Sequence, residues 1–146
     1  MAVLGCSTGA EAYSVAWKIR SARPDLQLVL HAVDVSRPAV EFAKRGVYSL
    51  ASSPSTSKAI FERLTSAETD EFFDRDGEMM TVKSWIRESI HWKVGDAGDA
   101  ETIDLLGAQD VVFANNFLCH LEAMEADRCL RNIARVIKPE DRKSVV

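Results

Sequence analysis

Several things are scarce or missing in this 146-residue chain, and each shortage removes a class of protein. It has three cysteines, Cys6, Cys119 and Cys129, with no CxxC pair and no histidine at zinc-ligand spacing. That argues against a disulfide framework or a structural zinc site and leaves reduced thiols. No apolar run is long enough to span a bilayer. No signal-peptide pattern precedes the first apolar segment, so the expected location is cytoplasmic, with no membrane insertion. The net charge of −4 has the wrong sign for a phosphate-backbone binder, and no nucleic-acid partner is expected. Repeats and low-complexity tracts are missing too. What remains is ordinary globular composition, 47% hydrophobic and 27% charged, at a length that suits one domain at most.

The most informative segment is Val3-Leu4-Gly5-Cys6-Ser7-Thr8-Gly9-Ala10-Glu11-Ala12-Tyr13-Ser14. An apolar strand enters two glycines separated by three residues, and a helix leaves them. Glycine lets backbone approach a ligand closely, and the helix N-terminus offers free N–H groups. Asp34 closes a second apolar segment, Leu28 to Asp34, 25 positions after Gly9. An acid there in a βαβ unit usually takes ribose hydroxyls. The spacing is not G-x-G-x-x-G, which disfavours a nicotinamide site. Each residue has a structural alternative. A GxxxG turn can be a packing solution, Asp34 a turn residue, Asp96 an Asx turn and Asn116 a turn residue. Cys6 reads either as a nucleophile or, preferably, as a small side chain in a tight turn.

The alternation of elements predicts a parallel sheet covered on both faces. Strands are expected at 2–4, 28–34, 91–94 and 110–113. Helices are expected from Gly9 to Ala22, with Tyr13, Ala16 and Trp17 on one face, and from Ser36 as N-cap to about Arg45. Thr8 and Glu11 have capping-box spacing. Residues 49–57 read as a loop, and Lys58 to Phe73 as helix. Met79 to Val82 and Ser84 to Ile90 read as short antiparallel strands. Glu122 to Val136 reads as an amphipathic helix, with Ala126, Cys129, Leu130, Ile133 and Val136 on its apolar face.

GCSTGAEAYS, then AVDVSRPAVEFAKRGVYSL, resembles the CheR-type chemotaxis-receptor methyltransferases. That family typically reads GCSTGEEPYS, then TDIS, then a segment like Gly46-Val47-Tyr48. Val111 to Leu118 resembles its strand ending in IFCRNVL, and Ile137-Lys138-Pro139 its LKPGG. The resemblance implies an α/β fold, a Rossmann-like class I methyltransferase sheet with helices on both faces. It also implies a small α+β insertion over 49–90, which in some members docks a receptor tail by strand addition. The implied cofactor is S-adenosylmethionine. Gly5, Cys6, Ser7, Thr8 and Gly9 would lie under its methionine and ribose parts. Glu11 would approach its amino-acid end, and Asp34 would grip the ribose. Asp96 and Ala97 stand where the family carries Asn-Leu, near the adenine. Asn116 and Phe117 would line the methionine side.

The implied reaction is O-methylation of glutamate carboxylates on a protein partner, a chemoreceptor cytoplasmic region. Such an acceptor is ionised near neutral pH and needs no base, only orientation. His120 stands where the family has a tyrosine. It either orients the acceptor or is a surface residue at a helix start. Two departures weaken the transfer of receptor specificity: Ala10-Glu11-Ala12 replaces Glu-Glu-Pro, and Ala114-Asn115-Asn116 replaces Cys-Arg-Asn. The rivals are another acceptor, or a non-catalytic domain that binds cofactor or partner.

The family pattern also predicts a domain over 1–140 that is incomplete at both ends, lacking the helical N-terminal domain that normally precedes it and its last strands. Residues 141–146, Asp-Arg-Lys-Ser-Val-Val, are what a common sequencing-adapter sequence encodes and read as a non-native tail. The edge left at 110–113 is expected to make the isolated chain poorly soluble or partly unfolded.

Overall fold

A computed structural model describes residues 1–49 and 64–138. The elements run β1 (Ala2–Leu4), α1 (Ala10–Ala22), β2 (Leu30–Asp34), α2 (Arg37–Arg45) and β3 (Val47–Ser49). After the undescribed stretch come α3 (Ser66–Phe72), β4 (Phe73–Asp76), β5 (Met79–Val82), α4 (Ser84–Arg87) and β6 (Ile90–Val94). The described chain closes with α5 (Ala100–Asp104), β7 (Val112–Phe113), a 3-10 turn (Leu118–His120) and α6 (Ala123–Val136). The expected loop beyond residue 49, the start of the expected 58–73 helix, Pro139 and the 141–146 tail lie outside the described residues.

Four strands form a wholly parallel sheet in the order β6-β2-β1-β7. Its strands are apolar at successive positions because both faces are covered. Val3, Leu30 and Ala32 pack with Ala12, Tyr13, Ala16 and Trp17 of α1. Ala2, Leu4, Val33 and Val112 pack with Ile103, Cys129, Ile133 and Val136. The chain moves outward from β1 through β2 to β6, then returns to β1's other side as β7. Ligands of open α/β sheets bind at the carboxyl ends beside such a reversal. Among the described residues β7 is an edge strand, and its amino end is partly covered, since Gln109 bridges to Ile137.

A second, antiparallel sheet runs β3-β5-β4. The sequence reading of Ser84 to Ile90 as its strand does not hold. Ser84–Arg87 is one helical turn, and the partners of β5 are β3 and β4. Trp85 and Ile86 are adjacent apolar residues, not alternating ones. The turn sends Ile86 fully into the core, while the Arg20 guanidinium lies over the Trp85 ring. Phe72 and Phe73 also misled the periodicity. Phe72 ends α3, and Phe73 is already extended, opening a hairpin that turns at Gly77 with φ +58°.

Helix ends explain two further differences. The N-cap of α1 is Gly9, at φ +93°, and no side chain caps it, so the Thr8–Glu11 capping box does not form. A capping box forms at Thr65 and Glu68 instead. Ser36 does cap α2, accepting from the Ala39 N–H. On α6, Leu130 is 44% exposed, and the buried stripe is Cys129, Asn132, Ile133 and Val136.

Gly9 is where α1 comes closest to its neighbours. A Cβ there would stand 2.8 Å from both Ala43 Cβ and Trp92 Cη2. Gly9→Ala is therefore expected to cost about 2–4 kcal/mol, from left-handed backbone strain plus overpacking. Gly77→Ala, also at positive φ but with nothing within 4 Å, should cost less. Thermal melts of the two variants check this, and equal midpoints would contradict it.

Candidate cofactor site

The loop from Gly5 to Gly9 is held from three sides. The Val33 carbonyl accepts from the N–H groups of Gly5 and Cys6, at 2.9 and 3.1 Å. The Asp34 carboxylate accepts from the Ser7 N–H through one oxygen, at 2.7 Å. Through the other it accepts from the Ser36 N–H, at 2.9 Å. From the small sheet, the buried Tyr48 hydroxyl donates to the Thr8 carbonyl at 2.7 Å. Ser7 takes a left-handed backbone, φ +47°, inside this frame.

A slot of about 210 Å³ opens at the carboxyl ends of the strands. Leu4 and Gly5 come from β1's end, Val33 to Val35 from β2's, and Gly95 to Ala97 from β6's. Phe117, His120 and Leu121, after β7, close the remaining side. Phe117 lies so close to Gly5 that a Cβ there would sit 2.9 Å from its ring. The Asp96 carboxylate accepts from the Gly98 N–H at 2.7 Å, an Asx turn. Asn132 of α6 donates to the Ala97 carbonyl at 3.2 Å, fixing this wall to the helix layer. A larger hollow of about 650 Å³ lies at the amino ends of β1 and β2, beside Met1, Leu28 and Gln109. None of the residues expected in the site lines it.

The sequence-predicted residues therefore divide. Gly5, Asp34, Asp96, Ala97, Phe117 and His120 line one slot. Cys6, Ser7, Thr8 and Gly9 build the loop without lining it. Cys6 is buried, and burial together with the Asp34 charge pushes its thiol up to about 12. A thiol so held is no nucleophile at neutral pH. Asn116 is exposed, at φ +60°. Glu11 accepts a hydrogen bond from the Asn115 side-chain amide. Asn115 was not among the expected site residues, because its neighbour Asn116 matched the family's asparagine. The only sequence signal was its place two residues beyond β7.

Two carboxylates on the rim of an apolar slot suit a nucleoside, whose hydroxyl and amino groups are donors and whose base is a flat apolar surface. The slot is smaller than the roughly 300–1,000 Å³ of most ligand pockets, so it matches one end of a cofactor. The sequence matches the family model described as "CheR methyltransferase, SAM binding domain" over residues 2–142. The chain belongs to the CheR methyltransferase family. Its methyl donor is S-adenosylmethionine, and the acceptor carboxylates of the slot fit the adenosine end. No curated protein matches this CheR-family chain. Its fold is similar to that of an O-methyltransferase family protein from Burkholderia thailandensis, with a TM-score of 0.54 and 17% identity. The likeness covers 94% of this chain and 29% of that one, so the chain spans under a third of that relative's length. Among the described residues no helix is long and apolar enough to cross a membrane, and no group of three His, Cys, Asp or Glu could hold a metal ion.

The raised Cys6 thiol has a consequence for stability. Its folded pKa lies above the ordinary value of 9.0, so the unfolded chain loses this proton first. Stability should therefore fall as pH rises from about 9 toward 12. Cys6→Ala should flatten that fall, as read from urea unfolding at stepped pH. An unchanged slope would contradict the burial argument.

Proposed function

We propose that this chain carries the cofactor half of a protein-glutamate O-methyltransferase whose acceptors are carboxylates on a chemoreceptor-like cytoplasmic protein. The observation that carries the reading is the slot at the strand reversal, in a chain that matches the family model along nearly its whole length. A cytoplasmic location is part of the same proposal.

S-adenosylmethionine, when bound, supplies a methyl group on a sulfonium, a strong electrophile. The chain's own task is alignment. Asp34 is the candidate for the ribose hydroxyls, and Asp96 for the adenine amino group. Both carboxylates keep lone pairs beyond the backbone bonds they already accept. Leu4, Val33, Ala97, Phe117 and Leu121 exclude water from the base. Gly5 to Gly9 carries the backbone from the slot to the first turn of α1, where Glu11 suits an ammonium group.

The acceptor side follows from chemistry. A glutamate carboxylate is ionised near neutral pH and attacks without a general base. What it needs is a neighbour that orients it. His120 stands on the rim of the slot, exposed, on the turn after β7. We assign it to orienting the acceptor, the role in which the family uses a tyrosine.

The test is transfer of labelled methyl from S-adenosylmethionine to a chemoreceptor cytoplasmic fragment, followed by mild alkali. Methyl esters release volatile methanol, so alkali-labile label on the receptor is the expected outcome. His120→Ala should lower the transfer rate measured at saturating cofactor. Alkali-stable label would assign a different acceptor group. Cofactor binding with no transfer to any protein would favour a non-catalytic binding domain.

A further inference from the structure

We propose that His31 and His91 together form a binding site for a divalent transition-metal ion of the zinc and nickel type, away from the cofactor slot. The site arises from the pairing of β2 with β6. These strands run parallel, and His31 stands directly opposite His91 in their register. Side chains alternate between faces along a strand. Leu30 and Ala32 belong to the core beneath α1, so His31 shares the other face with Val33. On β6, Trp92 packs on the α1 side, so His91 and Lys93 share that other face too. Parallel sheets normally present apolar residues on both faces, because helices cover both. Here α5 is only five residues long, and it packs with α6 over Ala2, Leu4, Val33 and Val112. The two imidazoles are left at the margin of that layer, His31 half-buried and His91 exposed. His31 also lines the hollow at the amino ends of the strands, which gives an ion a way in.

The spacing of the rings suits chelation. Their centroids are 5.6 Å apart and their planes are tilted by 33°. With a metal–nitrogen bond of about 2.0–2.1 Å, a ring centroid lies about 3.2 Å from the ion, and a tetrahedral angle sets two such centroids roughly 5.2 Å apart. Rotation about χ2, an axis that passes through each ring, turns the nitrogens toward a common point without moving the centroids, and that torsion is broad in histidine. Imidazole suits zinc, copper and nickel, whereas calcium and magnesium prefer oxygen. Among the described residues no third His, Cys, Asp or Glu completes the group. Two protein ligands and water make an open, exchangeable site, in contrast to the closed four-ligand sites that hold a fold together. Lys93 follows on the same face of β6, and its positive charge limits the affinity. Spacing along the chain hides the pair, because the two histidines meet only through the β2–β6 register.

Calorimetric titration of the whole chain with zinc chloride tests the site, and binding of one ion per chain is expected. His31→Gln and His91→Gln should each weaken zinc by about tenfold or more, because either change turns a chelate into a single ligand. His91 is exposed, so its variant keeps the fold. Lys93→Gln should tighten zinc by about two- to fivefold, the scale of removing one surface charge beside a divalent ion. Cys119→Ser, which removes the exposed thiol, should leave binding unchanged. In proton NMR spectra, nickel ions should broaden the ring signals of His31 and His91 before those of His120. Failure of the parent chain to bind zinc, or equal binding by the parent and His91→Gln, would overturn the proposal. So would loss of binding in Cys119→Ser, or broadening that begins at His120.

Discussion

The carboxylate of Asp34 is the fixed point of this structure. One oxygen holds the Ser7 N–H in the glycine loop, and the other holds the Ser36 N–H at the start of α2. Two loops from neighbouring strands are thereby tied to one side chain at the carboxyl edge of the sheet. The structural and ligand-binding readings of this aspartate are compatible. A carboxylate has about four lone-pair sites, and two backbone bonds leave room for two hydroxyls. An aspartate already locked by backbone donors presents those sites without losing further rotamer freedom when a ligand arrives.

The glycine loop is also coupled to the small antiparallel sheet. Tyr48 of β3 is buried, its ring edge-on to those of Tyr13, Phe42 and Phe73, and its hydroxyl reaches the Thr8 carbonyl. Tyr13 in turn donates to the Ala43 carbonyl at 2.6 Å, near the end of α2. Burial raises both phenols above their usual range, which keeps them neutral donors under ordinary conditions. The segment Gly46-Val47-Tyr48 is thus a brace for the cofactor loop as well as the first strand of the insertion. Gly46 ends α2 at φ +65°, where a Cβ would meet Arg87 and the Tyr13 hydroxyl 2.9 Å away. Loop, second helix and insertion are packed as one unit.

Much of this was legible because short apolar runs and helix caps act locally. β1, the extent of α1, the Ser36 cap of α2 and the parallel β6 and β7 all follow from apolar runs and their flanking residues. What was not legible depends on tertiary contact. Ser84 to Arg87 has no strong propensity of its own, and the space for Ile86 beneath α1 decides its helical turn. Gly9 displaces Thr8 as N-cap because the close approach of Ala43 and Trp92 demands a residue without a side chain. Asn132 reads as a polar interruption of an apolar stripe, yet it is buried on Ala97's carbonyl. The Glu11–Asn115 bond joins residues 104 positions apart, a separation at which no local pattern operates.

The account stands on one claim: that the slot beside Asp34 is the nucleoside end of an S-adenosylmethionine site. Calorimetric titration of the chain with S-adenosylmethionine and with NAD, repeated on Asp34→Ala, addresses it directly. Binding of S-adenosylmethionine but not NAD, abolished in the variant, is the expected result. A folded chain that binds neither, or that binds NAD, would contradict it and leave the glycine loop as architecture without a cofactor.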